Sequence, residues 1–369
     1  MRIVLACDKF KGSLTAAEVC MALERGLRAE RPDLVVERVP VADGGDGTLV
    51  AALEAGFTRV PVRVTGPTGE PVDTAYARSG DVAVVEMADA SGLSRLPSGL
   101  EPLTASPIGT GELMAAAIDA GCTSLVLGVG GSSSTDGGAG LVVGLGGRVL
   151  DAQGSPVPLG GAGLERAASL DLTALRSRLD GVTVTVASDV DNPLCGPRGA
   201  AAVYGPQKGA TPGDVRRLDA ALSGWADLVA AETGRDLRSS PGAGAAGGAG
   251  FAAMSLLGAD LRPGIETMLE LAEFEARVVG ADLVITGEGS LDAQSLHGKA
   301  PVGVASAAAR HGVPVVAVCG VSTLTEAELA GAGITRAWAL FDLEPDPARS
   351  MAEAALLLER VAAQVALTL

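Results

Sequence analysis

Five apolar segments of this chain end in the same way, in glycines joined to acidic or hydroxyl residues. The longest example, residues 182–210, reads VTVTVASDVDNPLCGPRGAAAVYGPQKGA. Its first residues alternate β-branched and small side chains, which predicts a buried strand, and the strand leads directly into Ser188, Asp189, Asp191 and Asn192. Because parallel sheets carry their chemistry at the carboxyl ends of the strands, the repeated pattern favours an α/β fold with parallel sheets.

Composition supports the same fold class. Of 369 residues, 47% are hydrophobic and only 2% are aromatic, so the core must be built from Ala, Val and Leu. A chain of this length is expected to form two domains, and alternating short strands between Arg59 and Leu96 indicate a boundary near residue 60. We predict one discontinuous domain at 1–60 plus 275–369, and an inserted α/β domain at 61–274.

Net charge and cysteine content limit which partners the chain can bind and in which cellular compartment it is expected. The formal net charge is −16, which repels nucleic acid backbones and anionic membrane surfaces. No apolar run approaches the roughly 18 residues of a membrane span, and the first residues do not make a signal peptide. The five cysteines are scattered and form no CxxC pair. We expect a cytoplasmic protein with reduced thiols and with neither nucleic acid nor membrane as a partner.

Asp189 and Asp191 are a candidate metal site. Two carboxylates two residues apart in extended chain point to one side, where they suit a hard cation such as Mg²⁺ between protein and phosphate oxygens. The alternative is a polar turn after a strand. An EF-hand is a poorer fit, because Leu194 and Ala200 stand where its loop needs glycine and glutamate.

Lysines are confined to glycine-rich loops that follow predicted strands. The chain has 24 arginines but only four lysines, which are Lys9, Lys11, Lys208 and Lys299. A lysine supplies a compact point charge for a phosphate or a carboxylate, which the planar guanidinium group does not replace cleanly. This distribution indicates anion contacts in these loops.

The first two loops carry further polar candidates. Residues 8–13 read DKFKGS and precede a helix that a Thr15–Glu18 capping box is predicted to begin. Residues 43–48 read DGGDGT, in which glycines allow backbone N–H groups to approach a ligand. Asp43 and Asp46 are suited to orienting hydroxyls or metal-bound water. Solvated βα loops are the alternative for both segments.

Residues 130–138 read GGSSSTDGG and precede another predicted helix. Small hydroxyl residues and glycines before a helix N-terminus make an anion nest. The dinucleotide fingerprint GxGxxG fails here, because Ser133 occupies its last position. It is matched on paper at residues 242–247, which follow no predicted strand, and no GxxxxGK[ST] P-loop occurs.

Glu288 and Asp292 follow a further predicted strand, in the segment GEGSLDAQSLHGK. They are candidates for a general base or a second cation ligand. His297 is another acid–base candidate, although a lone histidine is more often structural. Glu86, Asp89 and Ser91 are expected on a solvated edge, and the alternative is that they approach the cleft.

Together these segments resemble the bacterial glycerate kinase family. The matching motifs, which span almost the whole chain, are DKFKGSLTAAE, PVADGGDGT, GTGEL, GVGGSSSTDGGAG, SDVDNPLCGPRGAAAVYGPQKGA, PGAGAAGG and ITGEGSLDAQSLHGKAPVGVA. The resemblance implies a flavodoxin- or Rossmann-like parallel-sheet domain with a second mixed α/β domain inserted, and an active site in the interdomain cleft. It also implies ATP- and Mg²⁺-dependent phosphorylation of D-glycerate to 2-phosphoglycerate. Ser290 departs from the family motif, which has an arginine at that position.

The prediction is therefore a glycerate 2-kinase. Its catalytic candidates are Asp189, Lys208, Glu288 and Asp292, and its metal ligands are Asp189 and Asp191. The candidates for substrate and phosphate binding are Asp8, Lys11, Ser13, Asp43, Gly44, Gly45, Gly131, Ser132, Ser133, Asp136 and Lys299. The alternatives are a nicotinamide-dependent hydroxy-acid dehydrogenase and a non-catalytic sugar-acid sensor. The oligomeric state stays open, with a homodimer as one alternative.

Overall fold

The computed structural model describes residues 1–45, 47–296 and 298–369. Its strands are β1 (Arg2–Cys7), β2 (Val35–Arg38), β3 (Thr58–Thr65), β4 (Pro71–Ser79), β5 (Val82–Glu86), β6 (Ser124–Gly128), β7 (Arg148–Leu150), β8 (Ser169–Asp171), β9 (Thr183–Ala187), β10 (Asp260–Arg262), β11 (Leu283–Leu291), β12 (Val315–Ser322) and β13 (Arg336–Ala339).

Helices connect most of these strands. They are α1 (Ala16–Glu30), α2 (Thr48–Glu54), α3 (Met87–Ser91), α4 (Ile108–Asp119), α5 (Ala139–Gly144), α6 (Thr173–Arg178), α7 (Ala200–Tyr204), α8 (Pro212–Thr233), α9 (Ala245–Leu256), α10 (Gly264–Leu271), α11 (Phe274–Val278), α12 (Ala300–Ala309), α13 (Glu326–Gly331), α14 (Pro347–Ala352) and α15 (Ala354–Ala366). Short 3₁₀ turns cover Leu93–Arg95, Gly161–Arg166, Pro206–Lys208 and Leu340–Asp342.

Contacts within the chain divide it into two compact units. Unit 1 comprises Met1–Asp43, Val50–Gly56 and Pro263–Leu369. Unit 2 comprises Gly44–Leu49 and Phe57–Arg262, and therefore interrupts unit 1 along the sequence. The domain division at 1–60 plus 275–369 and 61–274 stays a prediction.

Unit 1 contains a parallel sheet with the order β2-β1-β11-β12-β13. Numbered within the unit, this is the flavodoxin-like order 2-1-3-4-5. Alternate residues of β1 face opposite sides: Ile3 and Leu5 pack with α1 and α15, whereas Val4 and Ala6 pack with α12. Because helices cover both faces, the strands read as continuous apolar runs.

Unit 2 contains a mixed sheet with the order β10-β9-β6-β5-β4-β3. Strands β5, β6, β9 and β10 are parallel, and β3 and β4 add antiparallel pairs at one edge. The short alternating strands predicted before residue 96 are these edge strands and β5. The parallel strands end along one edge of the sheet, so the loops that follow them begin there. Both units confirm the predicted α/β class with parallel sheets.

Capping side chains mark the beginnings of α1, α8, α13 and α14. Thr15 Oγ1 accepts the Glu18 N–H, and the Glu18 carboxylate accepts the Thr15 N–H at 2.8 Å, so the predicted capping box begins α1. The end of β11 differs from the prediction. Strand β11 continues to Leu291 through the GEG segment, because these residues stay paired with β12.

The cysteines are free thiols: Cys7, Cys20, Cys122 and Cys319 are buried, and Cys195 is half-buried. This matches the expectation of reduced, mostly buried side chains. None of the described helices has both the length and the hydropathy that crossing a membrane requires.

Candidate active site

The sheet of unit 1 has a switch point between β1 and β11. The chain leaves β1 towards β2 on one side, and it later returns to form β11 on the other side. At such a point the carboxyl ends of two neighbouring strands border a crevice, where open α/β sheets bind ligands. Cys7 pairs with Gly287, and the Asp8 N–H donates to the Gly287 carbonyl at 2.8 Å. Asp8 and Glu288 follow these paired residues and therefore occupy neighbouring positions.

Asp8 is almost fully buried, with 6% of its surface exposed. Its Oδ1 atom accepts the Lys9 N–H at 2.6 Å and lies 4.0 Å from Lys9 Nζ. Burial raises the pKa of Asp8 to about 7. The Lys9 ammonium opposes this rise, and the carboxylates of Asp43 and Glu288 add to it. A carboxyl group with this pKa exchanges its proton near neutral pH, as a general acid or base must.

Glu288 is also buried, and the hydroxyl of Ser295 donates a hydrogen bond to its Oε1 atom. Ser295 has no exposed surface, and its Oγ accepts the Asp292 N–H at 3.1 Å. Burial raises the pKa of Glu288, whereas the Ser295 hydroxyl and the Lys299 ammonium lower it. Ser295 was absent from the predicted site, because only the return of its loop onto β11 brings it to Glu288.

Asp292 is a loop-forming carboxylate in this structure. Its Oδ1 accepts the Gln294 N–H at 2.8 Å, and its Oδ2 accepts the Ser290 hydroxyl at 3.3 Å. The hydrogen bond from Gln294 is the main cause that holds the pKa of Asp292 below its ordinary value. Asp292 also adds to the negative field at Glu288, so the two predicted catalytic acids are close but have different environments.

The other candidates of unit 1 surround these carboxylates at different depths. Lys11 is exposed, and the Ser13 hydroxyl donates to the Met351 carbonyl at 2.8 Å, which ties the first loop to α14. Asp43 is half-buried and close enough to influence both buried carboxylates. The predicted residues that the structure brings together in unit 1 are Asp8, Asp43, Glu288, Asp292 and Lys299.

In the second loop, Gly44 is buried and Gly45 is half-buried, and the Gly45 carbonyl accepts the Thr48 hydroxyl at 2.7 Å. The candidates Asp46 and His297 lie outside the described residues.

Lys208 lies inside unit 2, beneath the loop of residues 130–138. It is 2% exposed, and its Nζ donates to Ser132 Oγ at 2.8 Å and to the Ser134 carbonyl at 2.5 Å. Burial lowers the pKa of Lys208 to about 7, and the Asp136 carboxylate opposes that change. Lys208 was predicted as a catalytic anion contact, but it uses two of its three hydrogens on the protein itself.

Other contacts hold the same loop from several sides. The Asp136 carboxylate accepts the N–H groups of Gly138 and Gly140 at 3.0 and 2.9 Å. Burial raises the pKa of Asp136 to about 6, and these two hydrogen bonds oppose the rise. The Ser133 hydroxyl donates to the Ser91 carbonyl at 2.8 Å. Of the predicted binding residues here, Ser132, Ser133 and Asp136 are buried and Gly131 is exposed.

Residues 242–247 pack against this loop and do not follow a strand. Gly247 has φ +71°, and a Cβ there would lie 2.0 Å from the Ser134 carbonyl oxygen. Its own carbonyl accepts the Gly137 N–H at 2.9 Å. Close packing therefore explains these glycines, which lack the strand that a dinucleotide fingerprint requires.

Asp189 and Asp191 follow β9 and are exposed. An Asp191 carboxylate oxygen lies 3.4 Å from Nη2 of Arg198. Within residues 1–45, 47–296 and 298–369, no group of three or more His, Cys, Asp or Glu side chains is arranged to hold a metal ion. Mg²⁺ commonly binds one or two carboxylates together with water and substrate phosphates. The pair therefore fits a Mg²⁺ ion that arrives with a nucleotide, and does not fit a fully protein-bound metal.

Glu86 and Ser91 correct the expectation of a solvated edge, because both are buried. Glu86 ends β5, and its carboxylate accepts the N–H groups of Gly47 and Leu49 at 3.1 and 2.8 Å. Ser91 Oγ accepts the Thr110 hydroxyl at 3.0 Å. The signal that points to Glu86 is its position at the carboxyl end of a parallel strand, the same position that marks Asp8.

Comparisons with known proteins agree with one another. The sequence profile of the glycerate kinase family matches residues 3–369. A glycerate kinase of Bacillus subtilis strain 168 is 48% identical over 87% of this chain and 85% of its own length. A glycerate 2-kinase of Escherichia coli K12 is 44% identical over 88% of this chain and 86% of its own length.

A solved structure extends the similarity to the fold. The crystal structure of a protein provisionally assigned as glycerate kinase 2, from Salmonella typhimurium LT2, is 44% identical in sequence, with a TM-score of 0.87. The match covers 100% of this chain and 98% of that one. The chain therefore belongs to the glycerate kinase family.

Proposed function

We propose that this chain is a glycerate 2-kinase, which transfers the γ-phosphoryl group of ATP to the 2-hydroxyl of D-glycerate and releases 2-phosphoglycerate and ADP. Family membership supports the substrate class, and the name of the Escherichia coli relative supports the position of phosphorylation. The observation in this chain that carries the proposal is the pair of buried carboxylates, Asp8 and Glu288, at the switch point of the unit 1 sheet.

Phosphoryl transfer asks a protein mainly to position its reactants and to stabilise charge, and to provide an acceptor for the hydroxyl proton. Glu288 is the acceptor that the contacts favour, because its carboxylate is buried and oriented by Ser295. Lys299 lies close enough to Glu288 to affect it, and it supplies positive charge for an anionic substrate. Lys11 is an exposed cation on the neighbouring loop and suits the same purpose.

Asp189 and Asp191 would hold the Mg²⁺ ion that accompanies the nucleotide. When bound, the ion would neutralise charge on the phosphate oxygens. Its binding would have to compete with Arg198 for Asp191, and their separation of 3.4 Å at an exposed position makes that pair weak.

We assign the loop of residues 130–138 to an anion nest whose shape depends on Lys208. The loop combines glycine backbone with the hydroxyls of Ser132 and Ser133. Since Lys208 Nζ is bound to Ser132 and to the Ser134 carbonyl, its proposed role is to position the loop rather than to touch phosphate. The roles of Asp43, Asp136 and the glycines in substrate binding stay predictions.

A ³¹P NMR assay tests the function. The full chain is incubated with D-glycerate, ATP and MgCl₂, and we expect ADP together with the phosphomonoester signal of 2-phosphoglycerate. Matched reactions with L-glycerate, and without MgCl₂, should give little product. A signal of 3-phosphoglycerate would contradict the position of transfer, and ADP formation that does not depend on glycerate would contradict the acceptor.

The location and the assembly are proposals of the same kind. The free cysteines are in keeping with the cytoplasm. A homodimer remains a prediction, which light scattering on the purified chain would test. The comparisons lend no support to a dehydrogenase or to a sugar-acid sensor.

A further inference from the structure

Asp8 and Glu288 are neighbouring buried carboxyl groups, and the protonation state of each is open. They follow the paired residues Cys7 and Gly287 on adjacent parallel strands, whose spacing is about 4.8 Å. Both side chains are more than nine-tenths buried. The Glu288 carboxylate acts on Asp8 through its negative charge, and the surroundings of each group decide which one keeps a proton more readily.

The contacts of Ser295 favour the ionised form of Glu288. Ser295 Oγ accepts the Asp292 N–H, so its single hydrogen is available to an acceptor. That hydrogen is donated to Glu288 Oε1, and the alternative acceptor, the Ser290 carbonyl, lies further away at 3.3 Å. A hydrogen bond to a carboxylate is stronger than one to a neutral carboxyl group. The Lys299 ammonium acts in the same direction.

Asp8 also has a cation nearby, but Lys9 Nζ lies 4.0 Å from its Oδ1 atom, which is beyond hydrogen-bond distance. Its Oδ1 atom accepts only the N–H of the next residue, Lys9, and its Oδ2 atom has no hydrogen-bond partner among the described residues. A largely buried carboxyl group that accepts a single hydrogen bond is more readily protonated than one in water, because the neutral group costs less to bury. The negative charges of Asp43 and Glu288 also favour the proton on Asp8.

We propose that one member of this pair is ionised and the other is neutral. Ser295 is a positioning residue that holds Glu288 as the carboxylate, which accepts the substrate's hydroxyl proton. Asp8 is the neutral carboxylic acid, which donates a hydrogen bond to the substrate's own carboxylate. The inference rests on the proposed function for its substrate, and it deepens that function by assigning the proton at each carboxyl group.

The step balances without any further reactant. The hydroxyl oxygen of glycerate forms a bond to the γ-phosphorus of the nucleoside triphosphate, and its proton moves to Glu288. The bond from the γ-phosphorus to the bridging oxygen breaks, and ADP leaves with that electron pair. Asp8 keeps its proton throughout, so an anionic substrate meets one negative carboxylate instead of two.

Ionisable neighbours on every adjoining segment enter the pH dependence. Within residues 1–45, 47–296 and 298–369, the charges that act on the pair are Lys9, Asp43, Asp292 and Lys299, and the pair in turn acts on the thiols of Cys7 and Cys319. Burial raises the pKa of both thiols, so they stay neutral over the range of interest. Asp8 should therefore lose its proton at higher pH than Glu288.

Titration without substrate tests the pair directly. The full chain is labelled with ¹³C at aspartate or glutamate carboxyl carbons, and Asp8→Asn and Glu288→Gln identify the two signals. We expect Glu288 to titrate below Asp8, and Ser295→Ala to raise the pKa of Glu288 by about one pH unit. Ser295→Thr should restore the wild-type value. Titration of Glu288 above Asp8, or no shift in Ser295→Ala, would overturn the proposal.

Thr286→Val is the matched control. Thr286 is a fully buried hydroxyl on the same strand, but it donates to the Ala6 carbonyl at 2.8 Å and not to a carboxylate. Its loss should lower the midpoint of thermal unfolding and leave the pKa of Glu288 in place. An equal shift in this variant would mean that Ser295 acts only through packing.

Kinetics give an independent readout. In Ser295→Ala, the fall of kcat at acidic pH should begin at a higher pH than in the control Thr286→Val. Because the nucleotide titrates equally in both reactions, it does not contribute to this difference.

The KM for D-glycerate tests Asp8. It should rise about tenfold above neutral pH in the wild type and should not change with pH in Asp8→Asn, whose amide remains a donor. A collapse of kcat at unchanged KM in Asp8→Asn would make Asp8 the base and overturn the assignment. If the ³¹P assay showed no product while Asp8 and Glu288 titrated as expected, the proposed function would be wrong and the assignment of protons would stand.

Discussion

Both units place charged side chains in glycine-rich loops after parallel strands, yet they satisfy those charges differently. In unit 2, Lys208 donates to two oxygens of the loop, and Asp136 accepts two backbone N–H groups. In unit 1, among the residues that the structure describes, Asp8 accepts a single hydrogen bond, from its neighbour Lys9, and Glu288 accepts one from Ser295. Lys208 and Asp136 therefore each make two hydrogen bonds within unit 2, whereas each buried carboxylate of unit 1 accepts one from the described residues.

This difference indicates a structural role for the charged groups of unit 2 and a catalytic role for those of unit 1. Charged groups whose hydrogen bonds are internal fix a loop, and their removal should cost stability. Buried carboxylates with few internal bonds raise the free energy of the folded state, and their removal should cost activity instead. The same sequence pattern therefore produces two physical outcomes, which mutations can tell apart.

The largest expected effect is on turnover, from Glu288→Gln in unit 1. A residue that accepts a proton in the transition state contributes about a hundredfold to ten-thousandfold to the rate. We expect kcat to fall by that factor, while thermal unfolding shows a fold that is at least as stable, because a buried charge has been removed. Steady-state kinetics at saturating substrates measure the loss.

Glu275→Gln is the control for that variant. Glu275 is an exposed carboxylate of the same unit, paired with Arg310 Nε at 3.0 Å, and exposed pairs contribute little. Its kcat should match the wild type. If Glu288→Gln also kept its kcat, unit 1 would be no more reactive than unit 2 and the comparison would fail.

Lys208→Met should have the largest effect on stability. The change leaves the Ser134 carbonyl without its donor and Asp136 without its nearby cation. Leaving a buried carbonyl without its donor costs about 1–3 kcal/mol in the free energy of unfolding, and the hydrogen bond to Ser132 is lost as well. Urea unfolding curves would measure it.

Arg217→Met provides the contrast on the surface of unit 2, where Arg217 pairs with Glu165 at 2.6 Å in an exposed position. We expect nearly unchanged unfolding. Wild-type stability in Lys208→Met, with turnover abolished, would return Lys208 to the list of ligand contacts and make unit 2 the reactive side.

Most of the fold was predictable from local patterns. The apolar run of Arg2–Cys7 and the capping box at Thr15 and Glu18 each specify an element through neighbouring residues. The extension of β11 to Leu291 was not predictable, because glycines normally end a strand and only pairing with β12 overrides that tendency.

The candidate site was predictable as a set of positions but not as a set of roles. The ends of strands marked Asp8 and Glu288, and the same rule would have marked Glu86. The burial of Lys208 depends on a loop that is distant in sequence. The hydrogen bond from Ser295 to Glu288 depends on a loop that folds back onto the preceding strand. Sequence spacing carries no information about which oxygen such a side chain meets.

Asp8→Asn in unit 1 should change the stability of the chain in a pH-dependent way. Burial raises the pKa of Asp8 to about 7 in the folded state, so between roughly pH 4 and 7 the folded chain holds a proton that the unfolded chain has lost. This contribution makes the wild type less stable as pH rises through that window. Asp8→Asn should remove it and stabilise the chain by about 1–3 kcal/mol at pH 8.

The gain from Asp8→Asn should shrink towards pH 4, where the wild-type carboxyl group is protonated in both states. Urea unfolding at several pH values compares the two chains. A variant that is less stable than the wild type at pH 8 would show that Asp8 is a structural carboxylate like Asp136, contrary to its assignment.

The smallest expected effect distinguishes two hydroxyls of the same loop in unit 2. Ser132 Oγ accepts from Lys208 Nζ, and Ser132→Ala should cost about 1 kcal/mol for the lost hydrogen bond. Ser134 Oγ is buried without a hydrogen-bond partner among the described residues, so Ser134→Ala should be neutral or slightly stabilising. The same unfolding assay measures both. If Ser134→Ala is destabilising by as much as Ser132→Ala, its hydroxyl has a partner such as bound water, and the loop is less closed than the comparison requires.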